Sequence, residues 1–389
     1  MKKSNSRKCS LIVETISFFL ITCFVVGAYF LILNCETVFA QNRHQIKDHE
    51  FEASNLWYEG ALLGNGDVGV VAFGADDRIT FAVGKNDFWD RRYYFHLFKP
   101  LTFRRYMEMV KNEWPADSVT GLVIPPDDIY ETYESELLLG NKNAKPLSKW
   151  HKPTPKPVCR INIWQPDVKN KFGRRELKPI KHVQSLENAE LSTNTSTFCT
   201  VSRVQKNAAL VFINLEGLSG ETVISLKRNP DTTDSGIEPP VHSVDKSFGL
   251  MIQDMPPERT YPEGYRCAAV ATLLNGPAPK LYDDEIRWTV TENCTLVLAV
   301  ATTRDDPNPE ASARKLIHQA SRTGDAELRQ EHVSEWQKFW NVSWIRIDDE
   351  AVEKMWYFCN YLLASASRPG AIAPGLFGPW IVEDRSAWG

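Results

Sequence analysis

Carboxylates stand in adjacent pairs at Asp127-Asp128, Asp283-Asp284 and Asp348-Asp349. Two carboxyl groups can divide acid and base work across a bond, or share a calcium ion. Each of these pairs lies in a polar stretch, where neighbouring acids are as a rule solvated turns, and that is the reading for all three. His182, His242 and His332 lack the spacing of metal ligands. No glycine-rich loop leads into a helix with a lysine that would cradle phosphate. No cofactor and no metal is therefore expected. The segment Gly60 to Gly74 (GALLGNGDVGVVAFG) is different in kind. Asn65-Gly66 stands between two apolar runs, and both residue types tolerate positive φ, so a tight, exposed hairpin turn is expected. Asn65 and Asp67 then lead a rigid polar loop, which is either an ordinary turn or one aimed at a ligand or a neighbouring domain.

The elements that must position such a loop are strands. From about 50 to 305, apolar residues alternate in short stretches broken by Gly, Pro, Asn and Asp. Strands are expected over Val68–Phe73, Arg78–Val83, Val158–Trp164, Phe198–Val204, Ala209–Leu215, Thr222–Leu226, Cys267–Leu274, Arg287–Thr291 and Cys294–Ala301. So many strands imply stacked sheets. The stretch from Trp114 to Pro157, rich in Pro, Lys and acids, is expected to form surface excursions. After 305 the period changes to that of helices, at Glu310–Arg322 (opened by Asn308 or Pro309), Asp325–Trp340 and Glu350–Ala366, with a short strand at Val342–Ile347. The fold class is mainly β: a large antiparallel β-sandwich, a helical linker and the first helix of an all-α domain. That helix carries Met355, Trp356, Phe358, Tyr361 and Leu362, an apolar face in want of partner helices, and the chain reads as the forward part of a longer protein, the alternative being that the helix docks on the sandwich.

The first 40 residues are an export leader, with Lys2, Lys3, Arg7 and Lys8 ahead of an apolar run from Ile16 to Leu33 and Val38-Phe39-Ala40 fitting a cut after Ala40. Left uncleaved, it is the one expected tie to a membrane. The leader holds four basic and two acidic side chains (Glu14, Glu36), so its removal takes the formal charge from −4 to −6. A mildly acidic exported chain is a poor nucleic-acid binder. Cys159, Cys199, Cys267, Cys294 and Cys359 remain, an odd number without a CxxC pair, which excludes a disulfide framework or zinc site as the organising device. The sequons Asn194-Thr-Ser, Asn293-Cys-Thr and Asn341-Val-Ser matter only in a eukaryotic secretory host. Aromatic residues reach 11%, with 12 Trp, which suits both a sandwich core and sugar-stacking surfaces.

Leu63 to Gly69 (LGNGDVG) followed by Lys85-Asn-Asp-Phe-Trp89 resembles the opening of glycoside hydrolase family 95 and its relatives, among them α-L-fucosidases. Tyr361 to Gly370 (YLLASASRPG), Pro374 to Trp380 (PGLFGPW) and Ala387-Trp-Gly389 resemble that family's entry into its (α/α)6 barrel, and His332 to Trp340 (HVSEWQKFW) is similar to its linker. The resemblance implies a β-supersandwich at 41–305, a helical linker at 306–347 and the start of an all-α catalytic domain at 348–389. It also implies inverting cleavage of a glycan or oligosaccharide by two carboxylates about 6.5–9.5 Å apart. In the family these lie beyond the Trp-Gly motif, so no catalytic residue is assigned to this chain. Sandwich loops in this architecture close over the barrel mouth, which makes Asn65, Asp67, Asp87, Trp89, Arg368 and Trp380 the candidates for sugar contact. The chain has Asp67 where the family often has Arg, and Lys85-Asn86-Asp87 for Asn-Glu-Asp. That places it nearer a subgroup without a settled activity than the fucosidases proper. The alternatives are a non-catalytic carbohydrate-binding or structural module and a relative of the disaccharide phosphorylases. Oligomeric state is not legible.

Overall fold

Period-two alternation becomes strand wherever a second sheet is present to bury the apolar side. The structure, a computed structural model, describes residues 46–75, 78–92, 153–166, 179–233, 236–258 and 260–384, with the backbone of 95–98 and 130–133 and a few helical residues between 103 and 111. The leader, Asp127-Asp128, most of the 114–157 segment and Ala387-Trp388-Gly389 lie outside the described residues. β1 (His49–Glu52), β2 (Ala61–Gly64), β3 (Val68–Ala75), β4 (Arg78–Asp90), β5 (Phe95–Phe98) and β6 (Tyr130–Tyr133) precede β7 (Thr154–Trp164). Then come β8 (Lys181–Ser185), β9 (Glu190–Asn194), β10 (Cys199–Val204), β11 (Leu210–Glu216) and β12 (Thr222–Lys227). β13 (Val241–Asp245), β14 (Phe248–Met255), β15 (Tyr265–Leu273), β16 (Lys280–Tyr282), β17 (Glu285–Val290) and β18 (Cys294–Thr302) follow. They pair antiparallel into a nine-stranded sheet, β1-β8-β9-β10-β11-β18-β15-β14-β13, a seven-stranded sheet, β16-β17-β12-β7-β4-β3-β2, and the separate β5-β6 pair.

The two large sheets face each other across one core. Val70, Phe81, Ile161 and Ile224 of the smaller sheet meet Ile213, Met251, Ala269 and Leu298 of the larger. Every strand expected between 50 and 305 is present. Polar strands such as β9 (Glu-Leu-Ser-Thr-Asn) escaped it, because their ladder bonds rather than their pattern hold them. β15 and β18 are nearly continuous apolar runs because their sheet is covered on both faces. Leu210, Phe212, Val270 and Val297 point away from the sandwich onto helix α1 (Pro309–Thr323), which presents Ala313, Ile317 and Ala320 at helical spacing. Asn308 caps α1 by accepting from the Ala311 amide at 3.1 Å, and Pro309 takes the first turn.

Helix α2 (Asp325–Val342) and helix α3 (Glu350–Ala366) pack on the end of the sandwich through Trp336, Trp340, Tyr357 and Tyr361. Trp336 lies 5.3 Å from the Tyr361 ring and Trp340 lies 5.6 Å from that of Tyr357. Their polar tips reach backbone, Trp340 Nε1 donating to the Leu186 carbonyl (3.0 Å) and Tyr361 Oη to that of Leu62 (2.7 Å).

Two expectations are corrected. Val342–Ile347 is not a strand, since α2 runs through Val342 and 343–347 pair with no strand. The Ile345 carbonyl instead accepts from Tyr357 Oη and the Ile347 amide donates to Glu353 Oε2. The apolar residues of α3 do find partners, in the sandwich and α2, but through Tyr357, Tyr361 and Ser365. Trp356, Phe358 and Leu362 are partly buried beside them. Met355 is 63% exposed and joins Val352 (51%) and Leu363 (67%) in an outward apolar stripe. The five described cysteines are free, and among the described residues no helix is long and apolar enough to cross a membrane.

Candidate functional site

The Asn65–Asp67 turn joins β2 to β3, with Gly64 opposite Gly69, as its residue types require. It is not exposed, however: Asn65 is 0% and Asp67 7% accessible. The β10–β11 connection and the end of α3 close over it. Asn65 Oδ1 accepts from the Asp67 and Val68 amides (3.0 and 2.9 Å), and its Nδ2 donates to the Gln205 and Ala208 carbonyls (both 2.8 Å). Gly66, at φ 86°, donates its amide to the Ser365 carbonyl at 2.7 Å. A Cβ at Gly66 would stand 2.5 Å from the Ser367 carbonyl carbon, and one at Gly84 would meet the Pro379 carbonyl oxygen at 2.2 Å. These glycines are thus needed for close approach of backbones as well as for the turn.

β4 brings three motif residues to the same place. Lys85 and Asp87 share a face of the strand, and Lys85 lies opposite Val68, beside Asp67. The Lys85 ammonium is 2.8 Å from Asp67, 3.1 Å from Asp87 and 3.3 Å from Asp305. Asp87 Oδ2 also accepts from Tyr265 Oη at 2.8 Å and Thr302 Oγ1 at 2.5 Å. Burial by itself would depress Lys85, but the Asp87, Asp67 and Asp305 carboxylates outweigh it and hold the ammonium above the ordinary lysine value. Burial likewise works against the Asp87 anion, yet Lys85 and the two hydroxyls keep its carboxyl below the usual range. A carboxylate held ionised in this way is a poor proton donor, so the cluster braces the structure electrostatically. Asn86 Nδ2 bridges the Gly66 and Ala366 carbonyls, 3.0 Å from each.

The remaining candidates are placed on the same join. Arg368 donates to the Lys206 carbonyl (3.2 Å) and to Asp67 Oδ2 (3.3 Å). Trp380 Nε1 donates to the Leu63 carbonyl at 2.8 Å, and Trp89 Nε1 to that of Asn86 at 2.7 Å. All six therefore surround the seat where α3 and the segment after it meet the sandwich, and all but Trp89 turn inward. Trp89 and Asp87 line a cavity of about 320 Å3 with Arg91, Tyr261 and Arg304. Sequence reasoning missed Lys85, Arg91, Tyr265 and Thr302. Lys85-x-Asp87 within a strand was the signal for the first, while the others are joined to it only by folding.

Two larger cavities, each of about 430 Å3, lie away from the motifs, and each has an ion pair across its lining. In one, Arg228 pairs with Asp384 (3.0 Å) beside the Lys156–Asp231 pair (2.7 Å); in the other, Arg266 pairs with Asp254 (2.6 Å). Asp284 pairs with Lys227, and Asp349 caps α3 by accepting from the Ala351 and Val352 amides, so both described acidic pairs serve local structure. Among the described residues no three His, Cys, Asp or Glu side chains form a metal cluster.

The buried histidines are structural too. His332 Nδ1 accepts from the Lys206 amide (3.1 Å) while Nε2 faces the Asn188 carbonyl (2.9 Å), which suits the neutral ring. Burial, reinforced by Arg203, brings His332 down to about 3, and burial brings His182 down to about 4. The unfolded chain therefore takes up these protons first. The stability involved is complete above about pH 6.5 and is lost as pH falls toward those values, at up to about 1.4 kcal/mol per pH unit for each ring. His332→Gln is expected to melt lower than the parent at pH 7 but with a shallower loss between pH 6.5 and 4.5. Parallel melting curves across that range would remove His332 from this role.

No protein-family model and no curated protein matches the chain. Among solved structures it is similar to a protein described as a kojibiose phosphorylase from the human microbiome, with a TM-score of 0.47 and 14% identity over 78% of this chain. The chain spans 39% of that protein's length. A likeness of that degree leaves the chemistry to the residues themselves.

Proposed function

We propose that the chain is the forward part of an exported glycoside hydrolase of the family 95 type, in which the sandwich (41–305) and the helical linker (306–347) brace an all-α domain beginning at 348. The domain cleaves a glycan by inversion, and its two carboxylates lie outside this chain. The observation that carries this reading is the seat at Gly64–Gly69 and Gly84. There four glycines let the Ser365–Arg368 and Pro379–Ile381 backbones approach so closely that a Cβ at Gly64, Gly66, Gly69 or Gly84 would clash. A buried ion cluster and inward-facing side-chain amides lock the approach. So specific a junction suits a fixed angle between two domains better than a free helix. The outward stripe Val352, Met355 and Leu363 fits a further helical layer.

The test is an assay of the complete encoded product, secreted through its leader, on α-linked deoxy- and hexopyranosides with and without phosphate. The expected result is free sugar of inverted configuration, released at the same rate in both. Release that needs phosphate would move the reading to phosphorolysis of a disaccharide, and intact substrates would sink the enzyme. The second reading, a non-catalytic carbohydrate-binding module, is favoured by the aromatic cavity beside Trp89 and would then take over.

A further inference from the structure

The cavity beside Trp89 differs from the other two in that, among the described residues, no ion pair joins two residues of its lining. Arg91 lies over two aromatic rings, its guanidinium carbon 4.8 Å from the Tyr261 centroid and 4.4 Å from that of Tyr265, and it donates one N–H to the Asp87 carbonyl at 2.8 Å. Those contacts hold the guanidinium in place and leave its other N–H groups without a carboxylate among the described residues. Arg304, exposed on the opposite wall, has no carboxylate partner among them either. The acid in the lining, Asp87, has its carboxylate engaged by Lys85, Tyr265 and Thr302 and only 1% exposed. Trp89 and Tyr261 give the lining two aromatic rings. Trp89 has spent its indole N–H on the Asn86 carbonyl and packs against Gly375, where a Cβ would come to 3.0 Å, so its ring position is set before any ligand arrives.

Flat rings accept the C–H face of a pyranose, and a preoriented guanidinium accepts a planar or tetrahedral oxyanion through paired N–H donors. About 320 Å3 is room for one or two sugar rings. We infer that this cavity binds a pyranose bearing an anionic group, a carboxylate or a sulfate ester, with the sugar ring against Trp89 and Tyr261 and the anion on Arg91 and Arg304. The inference rests on the carbohydrate reading above and narrows it to acidic glycans.

Calorimetric titration of the full chain at low salt would compare uronate oligosaccharides, sulfated oligosaccharides and their neutral counterparts. One acidic series is expected to bind at least about tenfold more tightly than its neutral counterpart, with the preference fading as salt rises. A preference for uronate or for sulfate then identifies the anion. Arg304→Gln, at an exposed position whose loss cannot unfold the chain, is expected to remove most of the preference, and Trp89→Ala to weaken neutral and acidic sugars alike. Equal affinity for neutral and acidic sugars, or an Arg304→Gln variant that keeps the preference, overturns this inference and leaves the carbohydrate reading standing. No binding of any sugar overturns both.

Discussion

Replacing Lys85 by methionine is expected to lower the melting midpoint by roughly 10 °C, the largest single effect in the molecule. Methionine preserves the length of the side chain but leaves Asp67 and Asp87 without the ammonium that sits 2.8 and 3.1 Å from them. Asp87 and Lys85 are each 1% exposed, so water cannot replace the lost partner. Breaking a buried pair from one side costs about 3–5 kcal/mol, since the surviving charge is stranded. Asp87→Asn in the same molecule is expected to recover part of the loss, because an amide can still accept from Tyr265 and Thr302 without carrying charge. Thermal melts of the parent, the single variants and the double variant decide it. A Lys85→Met protein that melts with the parent would show that the cluster is not under electrostatic tension.

Gly66→Ala is expected to release α3 while leaving the two sheets intact. Positive φ costs an L-residue about 1–2 kcal/mol, and the new methyl would press on the Ser367 and Arg368 backbone at 2.5–2.6 Å, adding about 1–3 kcal/mol. Gly370→Ala is the control, with a similar φ of 82° but open space around its Cβ. Hydrogen exchange followed by mass spectrometry should show faster exchange across 350–368 in Gly66→Ala and no such change in Gly370→Ala. Equal behaviour of the two variants would mean that strain at φ, and not docking, accounts for the effect. The comparison matters for function, because the same seat fixes the angle at which any helical domain meets the sandwich.

The sheets were legible because alternation and turn residues are local properties. β3, β4, β7, β10, β11, β12, β15, β17 and β18 all follow from runs such as Val68–Phe73 and Cys294–Ala301, and α1 from Asn308-Pro309 and the spacing of its alanines. Val342–Ile347 misled because alternation is not sufficient for a strand: a strand also needs a neighbour to pair with, and none lies there among the described residues. The candidate residues were found as a group, since Asn65, Asp67, Asp87, Trp89, Arg368 and Trp380 do gather at one join. What most of them touch could not be read. An Asn-Gly turn announces its φ angles in the sequence, but whether the turn meets water or the end of a helix 300 residues later is set by packing.

By itself, then, the sequence determined the β-rich class, most strand positions, the switch to helices after 305 and the presence of a polar, glycine-rich turn, each through backbone preferences and periodicity that act over a few residues. Only the tertiary structure decided that the turn is a buried seat, that Lys85 lies among three carboxylates, and that Arg91 and Arg304 face a cavity without acidic partners. Those facts depend on charges and surfaces brought together from positions more than 200 residues apart, and both burial and electrostatic pairing are properties of distance in space, which no local pattern encodes.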